Sequence, residues 1–284
     1  MRKLTYYLTT VLISTLAFTT FSLRAEAIDI VTSGVQTVVI TSNNGSVNLD
    51  TNYSSDVKVF QNNCANSNTI ATSQLLDTLF IDGGADCDLN LLIPSSMGVD
   101  VTTTNGPTWV YGGFPVIKVT SLNDVVPPGW EDTPAVTING EGAPTVDVFA
   151  KTGDISIKNI NQNVSATTEK GLIDVINCKG EFQIHSGKGG IYGDRLEIGV
   201  GTKSNFISDN GGILISKVSV APNPFKLRPR VKVSAKAKNG SVTLSKLKKG
   251  KVTHPKHATS IIFDGKKKAS VNLKSTNGMI LFLR

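Results

Sequence analysis

Eight glycines in this chain share one frame: Gly45, Gly106, Gly153, Gly171, Gly189, Gly211, Gly240 and Gly278. Five follow an asparagine (Asn44, Asn105, Asn210, Asn239 and Asn277), and the others follow Thr152, Lys170 and Lys188. Seven and five residues before the glycine lie apolar pairs such as Val38 and Ile40, Val99 and Val101, Val146 and Val148, Val164 and Ala166, Phe182 and Ile184, and Val271 and Leu273. Two and four residues after it lie Val47 and Leu49, Ile155 and Ile157, Ile173 and Val175, Ile213 and Ile215, Val242 and Leu244, and Ile280 and Phe282. Steps of two are the period of a strand with one buried face. The parity of the apolar set shifts across the glycine, so each copy reads as strand, corner, strand. Asn-Gly suits such a corner because both residues tolerate positive φ.

Two architectures use short alternating strands with turn signals, a β-solenoid and an antiparallel β-sandwich. Gly153, Gly171 and Gly189 are 18 residues apart each time, too even for sandwich loops. A further apolar position recurs seven residues after the glycine, at Ile160, Cys178, Leu196, Val218 and Leu247. Several inward positions per short copy favour the solenoid, an all-β single domain of stacked coils. Each inward Val, Ile, Leu or Phe contributes ~1.5–3 kcal/mol when fully buried. A lone coil cannot hide its inner face, so neighbours must supply the stability. Of the 284 residues, 39% are hydrophobic, 18% charged and only 6% aromatic, which agrees with strands rather than a helical bundle.

The amino terminus reads as an address rather than as fold. Arg2 and Lys3 precede an apolar stretch from Leu4 to Leu23, and Ala25-Glu26-Ala27 offers small residues for cleavage. Thr9, Thr10, Thr19 and Thr20 make that stretch a poor permanent span. The expectation is a signal peptide over residues 1–27 and a mature solenoid over 28–284, exported to the periplasm, the outer surface or the medium. Insertions are expected near residues 50–92, 121–145 and 221–230. The second carries Pro127, Pro128, Pro134 and Pro144 around Trp130, and the third carries Pro222, Pro224 and Pro229. Loops outside a solenoid are where binding commonly occurs, so Trp130 is a contact candidate.

The run from Leu92 to Gly106, with Ile93-Pro94, Val99-Asp100-Val101 and Thr104-Asn105-Gly106, resembles a segment of exported bacterial adhesin-like domains of unknown function. Thr152-Gly153-Asp154 matches the Thr-Gly-Asp variant of their repeat. The resemblance spans roughly residues 35–284 through short motifs. It implies a β-solenoid with an envelope or surface role, and no catalytic residues come with it. The long basic carboxyl-terminal loops of this chain depart from that pattern.

Charge is divided along the chain. From Lys217 to Arg284 there are 17 Lys and Arg against Asp264 alone, a net +16, whereas residues 28–216 have 9 basic and 20 acidic residues, a net −11. The candidate anion-binding residues are Arg228, Arg230, Lys246, Lys248, Lys249, Lys251, Lys266, Lys267 and Lys268. Such a concentration attracts anionic lipid headgroups, lipopolysaccharide or acidic glycans, unless it is a solvated loop surface or pairs with the acidic part of another molecule. No aromatic residue interleaves the lysines as a base-stacking platform requires, so sequence-specific nucleic-acid recognition is not expected.

Cys64 and Cys87 lie in polar surroundings outside the repeat register of an exported chain, and a disulfide is expected between them. Cys178 falls on an inward position and reads as a small buried hydrophobe. His254 and His257 sit in a lysine-rich loop that discourages a metal. Asp154, Asp174, Asp194 and Asp209 offer oxygens for calcium, but outward polar positions on a solenoid explain them, so no metal and no cofactor is expected. The expected function is therefore a noncatalytic, adhesin-like envelope or surface module that meets an anionic component or another envelope protein. The alternatives are a structural scaffold that self-associates and, less favoured, a polysaccharide-active β-helix enzyme.

Overall fold

The computed structural model describes residues 28–64, 70–123, 133–140, 145–220, 231–245, 251–253, 259–263 and 269–283. The expected signal peptide, Trp130, His254, His257 and residues 221–230 lie outside them. The described residues form an all-β stack of coils with no helix. Each coil contributes one strand before its corner to a sheet of 13 strands and one strand after it to a sheet of 12. Neighbouring coils pair in parallel and in register, with Val146 beside Val164 and Ile155 beside Ile173. Parallel pairing through the body of the stack excludes the antiparallel sandwich. Ten such coils stand among the described residues, spanning roughly 43 Å at about 4.8 Å per coil.

The core is the space between the two sheets. Val146, Ile155, Val164, Ile173 and Ile191 are each no more than 1% exposed, as the apolar frame requires. Three central coils add a short third side, at Lys179–Gly180, Glu197–Ile198 and Ser219–Val220. Cys178, Leu196 and Val218 stand just before these pieces and complete the buried wall there.

The corners are tighter than turn chemistry alone demands. A Cβ on Gly189 would sit 2.0 Å from the Gly171 carbonyl oxygen, and one on Gly211 would sit 1.8 Å from that of Gly189. At six of the eight corners glycine is needed because the corner rests on the backbone of the one beside it. The preceding asparagines do not adopt positive φ, contrary to the expectation from Asn-Gly. They form amide ladders instead: Asn105 donates to Asn44 (2.8 Å), Asn277 to Asn210 (2.7 Å) and Asn239 to Asn277 (2.7 Å). In the coils from 145 to 216 the left-handed non-glycine residues lie at the other bend, at Asn159, Asn177, Arg195 and Lys217.

Three residues before the glycine, a buried hydroxyl closes four of the corners. Thr168 donates to the Gly153 carbonyl (3.2 Å), Ser186 to Gly171 (2.9 Å), Ser208 to Gly189 (2.8 Å) and Ser275 to Gly211 (3.0 Å). This satisfies acceptors that burial would otherwise leave bare.

Two of the expected insertions contain strands of the stack. Residues 50–92 hold a coil made of Thr78–Asp82 and Asp88–Pro94, and residues 117–139 hold another made of Ile117–Ser121 and Val136–Asn139. The second has no glycine in the frame position. Its buried Asn123 accepts the Gly106 N–H on a side-chain oxygen (2.9 Å) instead.

At both ends, spatial order departs from chain order. The coil built from Thr37–Asn44 and Val47–Asn52 lies between the coil at 78–94 and the coil at 98–111. The coil built from Ala269–Ser275 and Ile280–Leu283 lies between the coil at 203–216 and the coil at 231–245. Antiparallel strands extend both ends, with Val57–Asn62 beside Asp88–Pro94 and Thr259–Phe263 beside Val231–Ala237. The register pair Asn62 and Asp88 brings Cys64 next to Cys87, and the disulfide forms across a Cα separation of 4.2 Å. Cys87 thereby sits over Gly45, whose Cβ would meet its carbonyl oxygen at 2.0 Å.

Candidate functional surface

In-register parallel strands turn the outward positions into columns that run the length of the stack. On the 13-stranded sheet, one column reads Thr41, Thr102, Thr120, Phe149, Thr167, His185, Ile207, Lys274 and Lys236. The column beside it begins Val39, Asp100, Lys118 and Asp147 and ends Asn205, Asn272 and Ser234. Carboxylates therefore mark one half of this face, where Lys118 pairs with Asp100 at 3.1 Å, and lysines mark the other.

Lys236 and Lys274 are direct register partners, and both are exposed. Lys203 lies one strand away on the same sheet, and Lys238 follows the strand that carries Lys236. Among the described residues, neither Lys236 nor Lys274 makes an ion pair, and like charges placed side by side repel. Asp209, a described acid on this half, is engaged by His185 at 3.0 Å. A second like-charged register pair, Lys170 and Lys188, lies along the glycine corner.

Most of the residues named from sequence do not enter this description. Arg228, Arg230, Lys246, Lys248, Lys249, Lys266, Lys267 and Lys268 lie outside the described residues. Lys251 opens the strand Lys251–Thr253, the last of the 13-stranded sheet. Lys236 and Lys274 were missed because each is a lone lysine in an alternating strand rather than part of a cluster. The sequence signal that finds them is parity, since Val233, Ala235, Val271 and Leu273 alternate with them inward. On the opposite sheet, Trp109 and Tyr111 face outward from Thr108–Tyr111, although sequence singled out only Trp130.

The acids considered for calcium are held apart by the coils. Asp154 accepts the Leu172 N–H at 2.7 Å. Asp194 accepts the Ser216 hydroxyl and pairs with Arg195 (3.1 Å) and Lys217 (3.7 Å). Among the described residues, no three His, Cys, Asp or Glu side chains converge as a metal site. Cys178 is fully buried, its thiol donates to the Ile176 carbonyl at 3.2 Å, and burial pushes it up to about 11. It stays protonated near neutrality and is not an activated nucleophile.

Burial, then the neighbouring Asp154 carboxylate, holds Asp174 above the ordinary aspartate range. The Ser216 hydroxyl, with Lys217 and Arg195, holds Asp194 below it. A depressed carboxylate stabilises the fold fully above its unfolded pKa of about 3.9, and that contribution disappears as pH falls through the folded value. Asp194→Asn is therefore expected to cost about 1.5 kcal/mol at pH 7. Unfolding midpoints against pH check this: the gap from wild type should close in strong acid. A constant gap would show that ionisation of Asp194 is not its source.

No protein-family model matches the chain, and no curated protein matches it either. Among solved structures, it is similar to a crystal structure described as "a putative cell adhesion protein from Clostridium sporogenes ATCC 15579". The two are 13% identical, the likeness spans 91% of this chain and 97% of that one, and the TM-score is 0.26. No residue correspondence follows at that score.

Proposed function

We propose that this chain is a noncatalytic interaction module of the cell envelope or surface. Its lysine-bearing half of the 13-stranded sheet holds an anionic, phosphate-bearing surface. The observation that carries the reading is the Lys236 and Lys274 register pair, two exposed lysines set side by side on neighbouring strands. Their mutual repulsion is relieved by an external anion, and lysine suits phosphate as a point charge. The net +16 of residues 217–284 extends the same field. The Cys64–Cys87 bridge suits an oxidising compartment, which supports export.

The test is cosedimentation with phosphatidylcholine vesicles, with and without phosphatidylglycerol, over a range of salt. Binding is expected only to the anionic vesicles and should weaken steeply with ionic strength. Each lysine near such a surface is worth about 1 kcal/mol, so Lys236→Glu with Lys274→Glu should weaken binding at least ~30-fold. An acidic glycan and free inorganic phosphate serve as competitors. Preferential displacement by the glycan would move the ligand from lipid to carbohydrate. Equal binding to neutral vesicles, or an unchanged double variant, would overturn the assignment. Turnover of the competing glycan would overturn the noncatalytic reading.

A further inference from the structure

Among the described residues, the two ends of the coil stack differ in charge and both leave strand edges open. From these features we infer that copies of this chain join end to end, the acidic end of one against the basic end of the next. At the acidic end, the 13-stranded sheet finishes on Ala71–Leu75, which pairs only with Thr78–Asp82 among the described residues. All five of its residues are exposed, and none is charged or proline. Such an edge presents unpaired N–H and C=O groups to whatever approaches it. The 12-stranded sheet finishes there on Ile28–Ile30. At the basic end, the corresponding edges are Lys251–Thr253 and Val242–Ser245.

Strand direction makes these edges compatible. Ala71–Leu75 runs against the coil strands, because it is antiparallel to Thr78–Asp82, which runs with them. Lys251–Thr253 runs with them, after two antiparallel steps through Thr259–Phe263 and Val231–Ala237. Two copies stacked in the same sense would therefore set Ala71–Leu75 antiparallel to Lys251–Thr253. Ile28–Ile30 and Val242–Ser245 both run with the coils, but their sheet is one strand shorter, so the joint rests on the 13-stranded sheet.

Charge selects this arrangement over its rivals. Residues 28–94 carry seven aspartates against Lys58, and residues 231–283 carry twelve lysines against Asp264. Two basic ends repel each other, as do two acidic ends, whereas unlike ends attract. The contact is heterologous, so nothing closes it and addition continues. It is separate from the anionic-surface reading, which uses the sheet face at Lys236 and Lys274 rather than the stack ends.

Sedimentation velocity of the purified chain over a range of concentration and salt tests the inference. The expected result is a series of masses in whole multiples of one chain, growing with concentration and collapsing to monomer at high salt. Gln74→Lys and Lys251→Glu should each weaken association at least tenfold with unchanged unfolding midpoints. Mixing the two variants should restore pairing, since the unaltered acidic end of Lys251→Glu meets the unaltered basic end of Gln74→Lys. Gln74→Lys should still bind anionic vesicles, which separates this inference from the proposed function. A wild-type chain that stays monomeric at low salt would overturn it. So would a dimer that never grows, or association indifferent to both variants.

Discussion

Gly189→Ala is expected to destabilise the protein by about 4 kcal/mol or more, lowering the thermal midpoint by roughly 8–16 °C. The added methyl carbon would lie 2.0 Å from the Gly171 oxygen and 2.5 Å from its carbon, far inside contact distance. Neither atom belongs to a flexible side chain, so relief requires two neighbouring coils to separate. The φ of +148° at Gly189 adds to the cost. Gly201 supplies the control: its φ is +83°, and a Cβ there would have nothing within 4 Å. Gly201→Ala should therefore cost only the conformational part, about 1–2 kcal/mol. Urea unfolding followed by circular dichroism distinguishes the two. Equal losses would mean that the corners need glycine for its φ rather than for close approach.

Phe206→Ala is the second large effect, with an expected loss of about 3–5 kcal/mol. Phe206 is fully buried in the third coil from the basic end, in register between Ile184 and Leu273, and its ring centroid lies 6.0 Å from that of Phe182. Space for these rings comes from small neighbours in the adjoining column, where Ser204 lies below Phe182 and accepts its N–H (3.1 Å). A cavity here also weakens the grip of the last two coils on the rest of the stack, because each coil touches only its neighbours. Amide exchange should accelerate first in the coils at 182–194 and 269–283. Phe206→Leu, which keeps most of the volume, should cost less than about 1.5 kcal/mol. A loss below 1 kcal/mol for the alanine variant would show that this column is not tightly packed.

The inward residues were legible because a strand's period of two is local, and the corners were legible because close approach leaves only glycine. The hydroxyl ladder hid in plain alternation: Ser186 continues the parity of Phe182 and Ile184, but its polarity disguises an inward position. The coil at 117–139 escaped because Asn123 replaces the glycine with a side-chain acceptor, a substitution with no periodic signature. The coil at 78–94 escaped because eight residues, not seven, separate the inward Ile81 from Leu89, and Cys87 stands at its corner. Stacking order was not readable at all. Periodicity says which side chains turn inward, whereas the neighbour of each coil is settled by long-range pairing. For the candidate surface, composition disclosed the amount of positive charge. Only the register of parallel strands places Lys236 beside Lys274.

The displaced order at the carboxyl-terminal end bears on how the molecule is made. A chain delivered amino end first completes 203–216, then 231–245, yet those two coils are not neighbours in the finished stack. The slot between them waits for 269–283, which arrives after both. Assembly there works like a bolt slid home rather than a wall raised course by course. Deleting residues 269–283 would withdraw that bolt and leave the outermost coil with no seat.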